Sequence, residues 1–369
     1  MNAREQYCLR MSKLSPFGRC LAYFAVAVTM TSGALGSSAG AATPRFSARE
    51  FDSPSGLAFG GGHLWVTNAA SSTISEIDPS TGAWLGTVEG ARYGFNGPRA
   101  IVDHGGELFV ANANGTVTEI RASTGAFVRL ISGAAYRFSS PVALTTLGND
   151  VLVLNSGAAG SITVFAANTG EFIRNIRGAA YAFDHPAAFT ASGLDVWVAD
   201  QGNNSVTELN VASTKLLRVI AQQGLSSPDG IAIGAGNVWV ANNATSSATE
   251  ISATSGVVEG TKTDKNGSYG FWNPTVMVST GYSIYTMTPY GTSPMVTKMS
   301  ASTGHPYWFM CNTNGPYYFS ELSAFAMSNG NLWVASRSGA NSKTPGAATG
   351  SLTELSLSSG GLIRTLPSH

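Results

Sequence analysis

The chain has 369 residues, with 21 Lys and Arg against 21 Asp and Glu, and only 11% of its residues are charged while 43 are glycine. That charge content is less than half the roughly 25% usual for a soluble domain, and with no cationic excess it excludes a nucleic-acid binder, which must neutralise phosphates. A hydrophobic fraction of 43% with 10% aromatic residues excludes a disordered chain. What remains is a turn-rich β protein whose surface is polar through hydroxyls and amides.

Residues 1–41 carry Arg4, Arg10, Lys13 and Arg19, an apolar run from Cys20 to Met30, and small residues ending in Ala39-Gly-Ala41. A basic segment, a short apolar core and an A-x-A site describe a secretory signal peptide. The apolar core falls short of the ~20 residues of a permanent membrane span, so no stable membrane insertion is expected after cleavage. Met11 onward would also form a complete leader. Removing residues 1–41 leaves 17 basic against 20 acidic residues, a slightly acidic mature chain. It also removes Cys8 and Cys20, so Cys311 is expected to stand alone, without a disulfide framework. Residues 42–50 read as a short linker.

From residue 51 onward the chain repeats. A proline, a small residue and a large apolar residue recur in phase as Pro54-Ser-Gly-Leu, Pro98-Arg-Ala-Ile, Pro141-Val-Ala-Leu, Pro186-Ala-Ala-Phe, Pro228-Asp-Gly-Ile and Pro274-Thr-Val-Met. A seventh copy, Leu322-Ser-Ala-Phe, lacks the proline; successive spacings are 44, 43, 45, 42, 46 and 48. Three more segments keep phase, exemplified by Leu64-Trp-Val-Thr-Asn68, Thr116-Val-Thr-Glu-Ile120, and a Ser-Thr-Gly turn such as Ser123-Thr-Gly125 followed by Phe127-Val-Arg-Leu130. β-Branched and aromatic residues alternate with small polar ones between Gly, Asn and Asp turns. Four short strands per ~45 residues, in series, are the mark of a propeller blade. The expected fold is all-β, a seven-bladed β-propeller of four-stranded antiparallel blades, with repeats at about 51–94, 95–137, 138–182, 183–226, 227–270, 271–318 and 319–369. Six blades with an irregular tail is the alternative, since the last two copies diverge most. No strand exchange that would close the ring is evident.

These elements resemble the NHL and YVTN-type propellers of secreted bacterial proteins, and are similar to the broader group that includes streptogramin lyase. The resemblance implies export and a propeller over nearly the whole mature chain. In the lyase group a metal and a catalytic His and Glu sit on one face; no pair here matches them, so no catalytic or metal-binding residue is assigned.

Candidate binding residues lie where the fourth strand of one blade leads to the first of the next. That loop recurs as Gly90-Ala-Arg-Tyr-Gly-Phe95, Gly133-Ala-Ala-Tyr-Arg-Phe138 and Gly178-Ala-Ala-Tyr-Ala-Phe183, with looser copies around Tyr269 and Tyr317. The Phe reads as a wedge between blades. The Tyr (Tyr93, Tyr136, Tyr181, Tyr269, Tyr317) has a flat apolar face and a polar tip, suited to a sugar ring or a protein; a repeated inter-blade contact is the alternative. Arg99 and Asp229 follow their prolines three blades apart, near the channel mouth. His185 precedes Pro186 on the same face and is the best single candidate for proton chemistry. The Asn ending the second strand (Asn68, Asn112, Asn155, Asn242, with Asp200) reads as an Asx turn. The resulting expectation is a secreted or envelope-associated, monomeric, non-enzymatic propeller without a cofactor, binding a protein or a carbohydrate such as an envelope polysaccharide. A lyase or hydrolase on a small exported substrate, and a structural surface protein, are the alternatives.

Overall fold

The computed structural model describes residues 51–157, 159–221, 224–264, 269–289, 294–311, 317, 319–337 and 350–367. The leader and linker expected at 1–50 lie outside the described residues. The rest forms seven four-stranded sheets, each of four consecutive strands paired in sequence order. Blade 1 is Pro54–Gly60, His63–Asn68, Thr73–Ile77 and Trp84–Val88; blade 7 is Leu322–Ser328, Asn331–Ser336, Ser351–Ser356 and Leu362–Pro367. All pairings are antiparallel, so the molecule is a seven-bladed propeller. The six-blade alternative falls: the divergent sixth copy still pairs Met277–Ser279, Ser283–Thr288, Met295–Ser300 and Pro306–Cys311 into one sheet.

Crowding at the axis explains the small residue two after each proline. A Cβ added to Gly230 would lie 2.0 Å from the Thr275 carbonyl oxygen of the next blade, a contact that only glycine avoids. The second strand is buried almost throughout, and its Trp65, Trp197, Trp239 and Trp333 fill the gaps between sheets. Seven core clusters are each shared by two blades: Trp65 and Ile74 of blade 1 pack with Ile101, Leu108, Val110 and Ile120 of blade 2. Burial of each such side chain contributes about 1.5–3 kcal/mol, so the blades stabilise one another.

Entry to every inner strand uses one backbone device. The residue before the proline position is left-handed in all seven blades: Ser53, Gly97, Ser140, His185, Ser227, Asn273 and Glu321, with φ between 47 and 57°. In six blades a register shift follows at once, which turns the chain from the loop into the crowded centre.

The Asn at the end of the second strand makes a longer connection than an Asx turn. Asn68, Asn112, Asn155 and Asn242 each accept, through Oδ1, a backbone N–H sixteen residues earlier, in the loop entering their own blade. Their Nδ2 donates to third-strand hydroxyls such as Ser75, Thr118, Thr163 and Thr249. The threonine hydroxyl then donates to the loop again, Thr118 to the Tyr93 carbonyl at 2.7 Å and Thr163 to the Tyr136 carbonyl at 2.7 Å. One amide therefore joins loop, second strand and third strand.

The ring closes without strand exchange. Ser323 of blade 7 donates to the Pro54 carbonyl of blade 1 at 2.6 Å, just as Ser55 donates to the Pro98 carbonyl of blade 2 at 2.5 Å. Phe51, Leu57 and Leu64 pack with Trp333, Ala335 and Leu352 across the same seam. Cys311, expected to stand alone, is buried and disulfide-bonded.

Candidate functional site

Strands in an antiparallel blade alternate direction, so the second-to-third and fourth-to-first connections emerge at one end. This loop face carries all the candidate binding residues. The five tyrosines are placed between blades, each stacked on the Phe two residues later with ring centroids 5.0–5.5 Å apart. Three hydroxyls are engaged at the opposite end of the blade: Tyr93 donates to the Gly125 carbonyl, Tyr136 to Gly170 at 2.6 Å, and Tyr181 to Thr214. The tyrosine loop is thus bonded to the third-to-fourth turn within each of these blades, a turn that keeps Thr-Gly in blades 2 and 3 and reads Ser213-Thr-Lys215 in blade 4. Tyr317 is buried, which pushes its phenol pKa up.

Arg99 and Asp229 are not brought together. Arg99 is exposed, and among the described residues no ion pair joins the two. Asp229 accepts a hydrogen bond from Asn243 Nδ2 at 3.3 Å, and burial raises its pKa to about 6. His185 is exposed at the left-handed entry position, its Nδ1 2.7 Å from Asp184 Oδ1. Asp200, standing where four blades have Asn, is fully buried and its pKa is raised by that burial to about 8. Its contacts require the same proton. Thr207 has one hydroxyl hydrogen, lies 2.9 Å from both Asp200 Oδ2 and the Tyr181 carbonyl, and can donate to only one. Protonated Asp200 donates to Thr207, Thr207 donates to Tyr181, and the amide relay of the other blades is reproduced.

Three ion pairs tie strands within a blade and extend to the next. Third-strand Glu119, Glu208 and Glu354 pair with fourth-strand Arg129, Arg218 and Arg364 at 2.6–2.9 Å, with the carboxylates 2–5% exposed. Each pair is directly opposed in register. The arginines also reach the third-to-fourth turn of the following blade: Arg129 to the Asn168 carbonyl, Arg218 to Thr254, and Arg364 across the seam to Ser80. Blade 3 has Val164 in place of the Glu but keeps Arg174, which donates to Val211. In blade 1 the partner of Glu76 is His63. Burial raises the pKa of Glu119 to about 7 against the pull of Arg129.

A concavity lies on the loop face over blade 3. It is a cavity of about 680 Å³ bounded by the loop entering the blade (Arg137, Ser139), the turn from Asn155 to Ser161, and the exit segment from Asn175 to Phe183. Gly160 lets the turn approach its neighbour closely: its φ is +38°, and a Cβ there would lie 2.5 Å from the Phe183 Cβ. Arg137 and Arg177 line the cavity, and neither takes part in an ion pair or hydrogen bond among the described residues. No carboxylate lines it. These residues were absent from the sequence-derived set. The available signal was departure from the repeat: Arg137 stands where Gly94, Ala182 and Gly270 occur, and Arg177 where Glu89 and Ser132 occur. Among the described residues no three His, Cys, Asp or Glu side chains converge as a metal site, and no helix is long and apolar enough to cross a membrane.

No known sequence family matches the chain, and no curated protein does. Solved structures do match in fold. The computationally designed Ika8 protein aligns over 88% of this chain and 91% of its own, with 16% identity and a TM-score of 0.61. BamB from Moraxella catarrhalis aligns over 77% of this chain and 83% of its own, with 16% identity and a TM-score of 0.53. At that identity the likeness is one of fold, and the chain is a β-propeller repeat protein.

Proposed function

We propose that this chain is an exported, monomeric propeller of the NHL/YVTN type that binds a protein or an envelope polysaccharide through its loop face, without catalysis. The observation that carries this reading is the cavity over blade 3. It is large enough for a small ligand or a projecting group of a larger one, and two of its side chains are left out of the ties that hold the blades. The leader-like residues 1–41 support export, and the in-phase repeats support the NHL/YVTN assignment. The tyrosine loops border the same face and frame the site.

Glycan-array screening of protein beginning at Ala42, repeated with Ala159→Trp, tests the reading. Ala159 is exposed at the cavity, so the indole is expected to block binding without lowering the thermal midpoint. Binding that survives both Ala159→Trp and the combined change of Tyr93, Tyr136 and Tyr181 to Ala would remove the loop face from consideration. An enzymatic reading draws on one observation, the orientation of His185 by Asp184. It would be supported by turnover of a bound ligand that His185→Ala abolishes, and that result would overturn the non-enzymatic proposal.

A further inference from the structure

Seven copies of one unit supply an internal control: what every blade needs for packing recurs, and what one blade needs for another reason departs from the pattern. Three departures meet in the cavity over blade 3. Arg137 places a long cationic side chain at a left-handed position, φ +53°, that Gly94, Ala182 and Gly270 hold in other blades, Ala182 at +55°; the side chain, not the backbone, is the departure. Arg177 precedes Gly178 where other blades place Glu89 and Ser132. Asn175 lies opposite Thr163 in register, a place held elsewhere by Thr87, Leu130, Val219, Thr261 and Thr365.

The hydrogen bonds of Asn175 fix what it offers. Its Nδ2 donates to Thr163 Oγ1 at 2.9 Å. Thr163 directs its single hydrogen to the Tyr136 carbonyl, so toward Asn175 it is an acceptor only, which settles the orientation of the amide. Asn175 Oδ1 is then buried with no partner. A buried carbonyl oxygen without a donor is unfavourable, so Asn175 is held at the cavity lining at a cost to the fold. Two unpaired guanidinium groups offer forked donors matched to a carboxylate or phosphate. The turn between Asn155 and Ser161, Ser-Gly-Ala-Ala-Gly, brings no large side chain into the space.

We infer that this cavity binds an acidic saccharide unit, a hydroxylated ring bearing a carboxylate or phosphate, with Arg137 and Arg177 on the anion. The inference rests on the proposed binding role of the loop face and names the ligand class for it. It places local cationic groups on a chain that is slightly acidic after loss of residues 1–41.

Calorimetric titration of the chain with oligogalacturonate, with glucose 6-phosphate and with neutral oligogalactose tests the inference, alongside Arg137→Gly, Arg177→Ser and the double variant. Both substitutions install residues that other blades carry, so the variants are expected to fold with unchanged thermal midpoints. The expected result is binding of one or both anionic sugars, weakened by salt, with a loss of about tenfold for each arginine removed. Binding of oligogalacturonate alone or glucose 6-phosphate alone supports the inference and identifies the anion as carboxylate or phosphate. Anion binding unchanged in the double variant, or equal affinity for the neutral oligosaccharide, overturns it. If a neutral glycan binds in a manner blocked by Ala159→Trp while the anions do not, the anion inference falls and the loop-face reading stands. If array and titrations show no binding at all, both fall.

Discussion

Two sets of arginines in this molecule carry the same group to different ends. Arg129, Arg218 and Arg364, on the outer strands, each neutralise a buried Glu and tie their blade to the next. Arg137 and Arg177, on the loop face over blade 3, do neither. The difference teaches that in a chain with so little charge, the informative property of an ionisable residue is its partner. Asp200 is a third case, a buried acid made neutral so that it can act as the asparagine of its neighbours.

Breaking the outer set is expected to have the largest effect. Arg364→Ala leaves Glu354 buried without its cation and removes the bond to Ser80 that crosses the seam; a loss of about 4 kcal/mol is expected in urea unfolding. A change below about 1 kcal/mol would show that the tie is dispensable.

The Asp200 case is next and depends on pH. Its pKa is raised from 3.8 to about 8 in the folded chain, so between those values the native state holds a proton that the unfolded state has released. The stability from this group is therefore fully present below pH 4 and declines as pH rises toward 8, by about 1.4 kcal/mol per unit. Asp200→Asn should remove that decline. The variant is expected to be the more stable of the two at pH 8, with the gap closing toward pH 4. A constant gap across that range would refute the protonated relay.

Smaller effects sharpen the contrast. Tyr136→Phe removes the 2.6 Å bond to the Gly170 carbonyl and should lower stability by about 1 kcal/mol; an unaltered midpoint would free the phenol for a binding role. Arg137→Gly should change stability by less than about 1 kcal/mol, because relief of the left-handed backbone offsets the greater freedom of glycine in the unfolded chain. A large loss there would move Arg137 into the structural set.

The repeat was legible because each blade solves the same packing problem with the same residues. Even Leu322, without the proline, keeps the left-handed entry at Glu321 and the register shift that follows. Partnerships across blades and loops were not legible. Asn68 reads locally as a turn residue, yet its bond runs to Asp52. Tyr136 reads as a binding aromatic, yet its hydroxyl meets a turn 34 residues later. Arg137 and Arg177 were visible only as deviations, and a deviation has no meaning until neighbouring loops show whether it has a partner.

Sparse charge was thus determined by the sequence itself, through a unit of Gly, Ser, Thr, Ala and Asn with about one Glu per copy, and so was the recurrence of strand quartets, while seven against six was decided by the pairing of the divergent sixth copy. Only the tertiary structure decided which charges hold the ring together and which stand free. Ion pairs, hydrogen bonds and cavities depend on distances between atoms, and those distances are set when blades pack side by side and the last meets the first.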